Sequence, residues 1–158
     1  MNIRFYNARI LVPSEGHSFQ VITGELWVKK DEIIYIGDGL DTERVFEKEP
    51  AGMILWDREI DAEKNLLLPG FKNAHTHTAM TFLRSYADDL PLQDWLTKQV
   101  FPKEALLTAD DIYWLSILGI MEYLTSGITS NFDMYFFPET IAKASIAVSY
   151  THLRAHET

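Results

Sequence analysis

The spacing of apolar residues changes near residue 60, and that change commits the chain to a fold built of two unlike parts. Before it, apolar residues come in short runs rich in β-branched and aromatic side chains: IRFYNARILV, FQVITGELWVKK, DEIIYIG and MILWD. In Glu25-Leu26-Trp27-Val28-Lys29 and Ile33-Ile34-Tyr35-Ile36 the pattern fits strands with one face buried. Turn formers separate the runs at Pro13-Ser14-Glu15-Gly16, Lys30-Asp31 and Gly37-Asp38-Gly39. His17 falls in the first of these turns, where water is its expected partner. The spacing predicts a small antiparallel β region over residues 1–65.

After the acidic stretch from Asp57 to Lys64, the run Asn65-Leu66-Leu67-Leu68-Pro69-Gly70-Phe71 reads as a strand buried on both faces and closed by Pro-Gly. Thr108 followed by Ala109-Asp110-Asp111 is a helix N-cap with an acidic first turn. Ile112, Leu115, Ile117, Leu118, Met121 and Leu124 continue the helix to Ser126-Gly127. Ile128 to Asp133 is a second buried-strand candidate, and Pro138-Glu139-Thr140 starts another helix. Strand, helix, strand, helix is the order of a parallel α/β unit, so the fold class is α/β, with a larger sheet or barrel beginning near residue 66.

Charge and cysteine content narrow the chemistry. The net charge is −9, from 23 acidic and 14 basic side chains, with no cluster of Lys and Arg to neutralise phosphates; a nucleic-acid partner is not expected. Without cysteine, any metal must be held by His and carboxylates. The start, MNIRFYNARILV, matches neither a signal peptide nor a spanning helix, so the expectation is a cytoplasmic protein with no membrane partner.

The sharpest motif is Asn73-Ala74-His75-Thr76-His77-Thr78. On an extended strand, residues i and i+2 share a side, so His75 and His77 can offer two imidazoles to one ion. Catalytic groups of βα barrels cluster at strand C-terminal ends, which is where this motif falls. Trp95 reads either as a ring against a purine or as core filling. Glu104, read alone, is a first-turn carboxylate answering a helix dipole. Asp88 and Asp89 are adjacent and do not share a face, so turn capping suits them better than acid–base work. Asp133 sits at a strand end with no role assigned.

LPGFKNAHTHTAM, RSYADDLPLQDWL and FPKEA together resemble the amidohydrolase superfamily, and within it the branch of S-adenosylhomocysteine and 5′-methylthioadenosine deaminases. The resemblance extends to about Ala147. It implies a small N-terminal β-sandwich part over 1–65, completed in the family by C-terminal strands, and the first βα units of a truncated TIM-type (β/α)8 barrel over 66–147. It implies one Zn²⁺ or Fe²⁺ held in part by His75 and His77, with Glu104 accepting hydrogen bonds from the ribose hydroxyls of a nucleoside. It also implies homo-oligomers. The family's remaining ligands and proton shuttle come from later strands, so no catalytic residue is expected within this chain, and the chain alone is expected to be inactive.

Residues 148–158 depart from the family pattern and resemble a translated adapter, so a non-native tail is expected there. His152, His156 and Glu157 do not reproduce the spacing of a helical zinc motif. Two other readings stand beside the deaminase: an amidohydrolase acting on guanine, cytosine or a chlorinated triazine, and a non-catalytic β-rich binding module.

Overall fold

A computed structural model describes residues 1–40, 42–46 and 54–154, which divide into two compact units, Met1–Pro69 and Gly70–Thr158. Within the first unit, β1 (Asn2–Pro13), β2 (Phe19–Lys29) and β3 (Glu32–Gly37) form the expected antiparallel meander. A helical turn, α1 (Glu43–Phe46), follows, and then β4 (Arg58–Asp61) and β5 (Leu66–Leu67). Both late strands pair with β1 in parallel, which corrects the all-antiparallel expectation. Within this unit the described residues form one sheet of order β3-β2-β1-β4, with β5 further along β1. The physical reason is β1 itself. At 12 residues it has two free edges to satisfy; β2 takes one, and the returning chain takes the other in the same direction as β1.

Alternation along β1 buries Ala8 and Ile10, which close a small core with Ala62 and the flanking Val12, Ile22, Leu26 and Leu67. Trp27, 5% exposed, stacks against Tyr35 and Trp56 at centroid distances of 4.6 and 5.2 Å. Its indole N–H donates to Glu25 at 2.7 Å, and Glu25 takes a forked pair of hydrogen bonds from Arg4 at 2.8 and 2.5 Å. His17 is exposed in a short 3₁₀ turn, as its sequence position suggested.

The second unit opens with β6 (Phe71–Thr76), a 3₁₀ turn at Thr78–Leu83, and a helical segment over 92–104. That segment runs from α2 (Leu92–Trp95) through a π turn at Leu96–Val100 into α3 (Phe101–Glu104). Then come α4 (Ala109–Thr125), β7 (Ile128–Asp133), α5 (Pro138–Ala147) and β8 (Thr151–Arg154). The sheet order is β6-β7-β8, all parallel. Strand β8 lies inside the segment expected to be foreign; His156 and Glu157 fall outside the described residues.

Residues 65–71 do not form one strand buried on both faces. Leu66 and Leu67 pair with Arg9 and Ile10 in the first unit, Leu68 is 46% exposed, and the first barrel-type strand begins only at Phe71. Pro69 brings no N–H to a ladder and interrupts the run, and the two compact units divide at 69/70.

Helix α4 forms where its sequence signals placed it. Thr108 and Asp111 make a reciprocal capping box, and Gly127 leaves the helix at φ +76°. Its buried face, Ile112, Ser116, Gly119 and Ile120, repeats at i, i+4, i+7 and i+8. Ile112 packs with Ala79 and Ile141, and Ile120 with Ala144 and Tyr150. Gly119 is required by a close approach: a Cβ there would lie 2.8 Å from both the carbonyl oxygen and Cγ2 of Thr78.

Two predictions follow from this packing. Gly119→Ala should destabilise the protein by ~1–3 kcal/mol through overpacking, more than the ~1 kcal/mol that alanine gains in helix propensity. A urea midpoint that rises instead would show that Thr78 yields freely. In the first unit, the Arg4 guanidinium holds the Glu25 carboxyl below its ordinary value of 4.5. A lowered folded-state pKa contributes stability that is present above the unfolded value and is lost as pH falls through the folded one. The acid limb of a stability–pH curve should therefore flatten in Glu25→Gln, and an unchanged limb would argue against the pair.

Candidate active site

The site is built at the C-terminal ends of β6 and β7. Thr76 pairs with Asp133, and beyond them the Met134 N–H donates to the Thr76 carbonyl at 3.1 Å. The Met134 carbonyl in turn lies 2.6 Å from His77 Nδ1. A carbonyl can only accept, so Nδ1 carries the proton, and in the neutral ring Nε2 keeps its lone pair for an ion. The ring of His75 stands 5.1 Å from that of His77, at 77° to it. The two histidines come together as the motif implied, His75 exposed and His77 half-buried.

A polar layer beneath the turn fixes this geometry. The Thr78 N–H reaches both carboxylate oxygens of Asp133 at 3.4 and 3.3 Å, and Asp133 is 3% exposed. The Thr76 and Thr78 hydroxyls both meet Tyr123 OH from α4, at 2.5 and 3.1 Å, and Asn131 Nδ2 donates to Thr78 Oγ1 at 3.0 Å. Thr76, Asn131 and Asp133 thus serve the helix-facing side. By alternation in β7, Phe132 lies on the other face, 41% exposed.

A cavity of about 500 Å³ opens beside His77 and is lined also by Trp95, Phe101, Glu104, Tyr135 and Phe136. Trp95 therefore faces a cavity and is not simply core; its indole N–H donates to the Tyr86 carbonyl at 3.0 Å, which holds the ring in place. Glu104 does not head a helix. The segment 92–104 is continuously helical and Glu104 ends it, so the dipole there disfavours a carboxylate and the first-turn explanation is corrected. Asp88 and Asp89 lie in the loop preceding this segment.

Sequence reasoning missed Tyr135. Its hydroxyl donates to Glu104 Oε1 at 2.7 Å, and its ring lies 6.1 Å from that of His77. Burial first, and then the Glu104 carboxylate, push its pKa far above 10, so it remains a donor at all ordinary pH. Its place just after a strand end in a βα unit was the available signal. Among the described residues, no group of three or more His, Asp or Glu side chains is placed to hold one ion. The donors at hand are two imidazoles, one with its tautomer fixed, which suit a divalent ion as two of its ligands. No helix of the described residues is long and apolar enough to cross a membrane.

Comparison with known proteins agrees with this architecture. The chain is 44% identical over 144 residues to a 5-methylthioadenosine/S-adenosylhomocysteine deaminase of Syntrophomonas wolfei, which covers 91% of this chain and 31% of that protein. It is 42% identical over 138 residues to a 5′-deoxyadenosine deaminase of Methanobrevibacter smithii, covering 87% of this chain and 28% of the relative. The crystal structure of an adenosine deaminase from Xanthomonas campestris with bound zinc superposes with a TM-score of 0.77 at 29% identity, over 96% of this chain and 33% of that one. The chain thus spans about a third of the length of the relatives it matches. The model of the amidohydrolase family matches residues 66–155, more than half of the sequence, and the chain belongs to that family.

Proposed function

We propose that this chain is the N-terminal part of a metal-dependent deaminase, which hydrolytically removes the amino group from the adenine ring of an adenosine-type nucleoside such as 5′-methylthioadenosine or S-adenosylhomocysteine. The observation that carries this reading is that His77 from a strand end and Glu104 from the helical segment line the same cavity. The names of the relatives at 44% and 42% identity support the substrate class.

In this reading His75 and His77 hold a Zn²⁺ or Fe²⁺ together with ligands from the rest of the parent, and the ion supplies Lewis-acid activation of water. The Met134 carbonyl keeps the His77 ring in the ligating tautomer. Glu104 accepts the ribose hydroxyls, for which a carboxylate with two acceptor oxygens is suited. Trp95, fixed through Tyr86, packs on the purine, and the apolar wall of Phe101 and Phe136 excludes water around it. A catalytic zinc normally keeps about three protein ligands and an oriented base, so two histidines alone give an inactive chain.

The same proposal divides the protein at 65/66 into a β-sandwich part and a barrel that later strands would close. It takes the parent to be a cytoplasmic homo-oligomer without nucleic-acid or membrane partners. It also takes residues 148–158 as non-native, on their resemblance to a translated adapter, against a family match that runs on to residue 155.

Two measurements test it. Full-length enzyme loaded with zinc should release ammonia from 5′-methylthioadenosine, and His75→Ala or His77→Ala should lower both bound metal and turnover by at least ~100-fold, given what one ligand contributes. Stoichiometric metal retained in both variants would remove the ligand assignment, and no ammonia from any adenosine derivative would remove the substrate class. Resequencing the source locus across codons 140–158 should show the reading frame continuing into further barrel; a confirmed Tyr150 to Thr158 would make the tail native.

A further inference from the structure

Among the described residues the Glu104 carboxylate has one side-chain hydrogen-bond partner, Tyr135. Glu104 closes the helical segment 92–104, where the helix dipole presents its negative end, and it lines a cavity whose other walls include Leu92, Leu96, Phe101 and Phe136. The ion pairs found among the described residues do not include it. Its one side-chain hydrogen bond there comes from Tyr135, at 2.7 Å. A carboxylate with a single donor has two acceptor oxygens and roughly three further lone-pair sites free, enough for both hydroxyls of a vicinal diol.

Tyr135 is itself immobilised by the strand end. The residue before it is pinned on both sides, with the Met134 N–H on the Thr76 carbonyl and the Met134 carbonyl on His77 Nδ1. One short stretch of backbone after β7 therefore fixes a histidine of the cavity lining, and its next side chain bonds a glutamate of the same lining.

We propose that Tyr135 is a positioning residue for sugar recognition: its hydroxyl holds the Glu104 carboxylate in register with His77, so that a nucleoside diol and its base are gripped at a fixed spacing. This rests on the reading of Glu104 as the ribose acceptor. Tyr135 acts through its hydrogen bond to Glu104. Its contribution falls on substrates that carry the diol and not on the chemical step.

The test uses full-length, metal-loaded enzyme with adenosine and with 2′,3′-dideoxyadenosine, which lacks the diol. Tyr135→Phe keeps the ring and removes the hydroxyl. It should raise KM for adenosine about tenfold, the effect of losing a hydrogen bond to a charged group, while leaving kcat within about twofold and the dideoxy substrate unchanged. Glu104→Gln should abolish the preference for the diol, and the double variant Tyr135→Phe/Glu104→Gln should be no worse than Glu104→Gln alone, because the hydroxyl acts only through the carboxylate. If Glu104→Gln keeps the full preference for adenosine, the ribose reading fails and the proposal with it. If Glu104→Gln loses the preference but Tyr135→Phe does not change KM, the ribose reading stands and the Tyr135 proposal alone is overturned. Equal losses on both substrates, additive losses in the double variant, or a Tyr135→Phe protein that does not fold would assign the tyrosine to packing, and each overturns the proposal.

Discussion

The second unit depends on how β6 and β7 end together. The Met134 N–H and carbonyl close the ladder onto Thr76 and His77, and Asp133 takes the Thr78 N–H from below. Without that closure the His75–His77 pair would sit on a free strand end, and the His77 imidazole would have no fixed tautomer or direction. The requirement explains a buried polar layer in the middle of the unit. Thr76, Thr78, Tyr123 and Asn131 share their hydrogen bonds at 2.5–3.1 Å, so most of the groups buried here have partners. The side-chain amide oxygen of Asn131 is buried without a partner among the described residues.

Helix α4 is the other half of that constraint. It crosses close enough to Thr78 that only glycine fits at position 119, and the same helix supplies Tyr123 to the polar layer. The chemistry-bearing turn is therefore clamped between a strand end and a helix, each of which is set by its own local signals. Phe71 and Phe132, in the two strands beside this turn, stay 58% and 41% exposed, and the chain is about a third as long as its relatives. The fold and the family membership thus rest on different observations that agree.

Much of the secondary structure was legible because it is set within a few residues. Thr108 and Asp111 cap α4, Gly127 ends it, β7 occupies Ile128–Asp133, and α5 begins at Pro138; each follows from capping, glycine or proline chemistry acting locally. The failures came where a choice was not local. Leu66 to Phe71 is equally apolar whether it pairs in one sheet or the next, and only Pro69 with the open edge of β1 splits it. Likewise the parallel direction of β4 and β5 depends on which edge of β1 remained unpaired some fifty residues earlier.

The sequence by itself determined the histidine pair, the absence of thiolate ligands, and the order of elements, since residue type, strand alternation and helix capping need no distant partner to act. Only the tertiary structure decided which nitrogen of His77 is free, that Trp95 and Glu104 face the same cavity as His77, and that Tyr135 reaches across to Glu104. The two hydrogen bonds involved join residues 57 and 31 positions apart. Their geometry depends on how strand ends and helices pack, and no short-range preference in the chain encodes it.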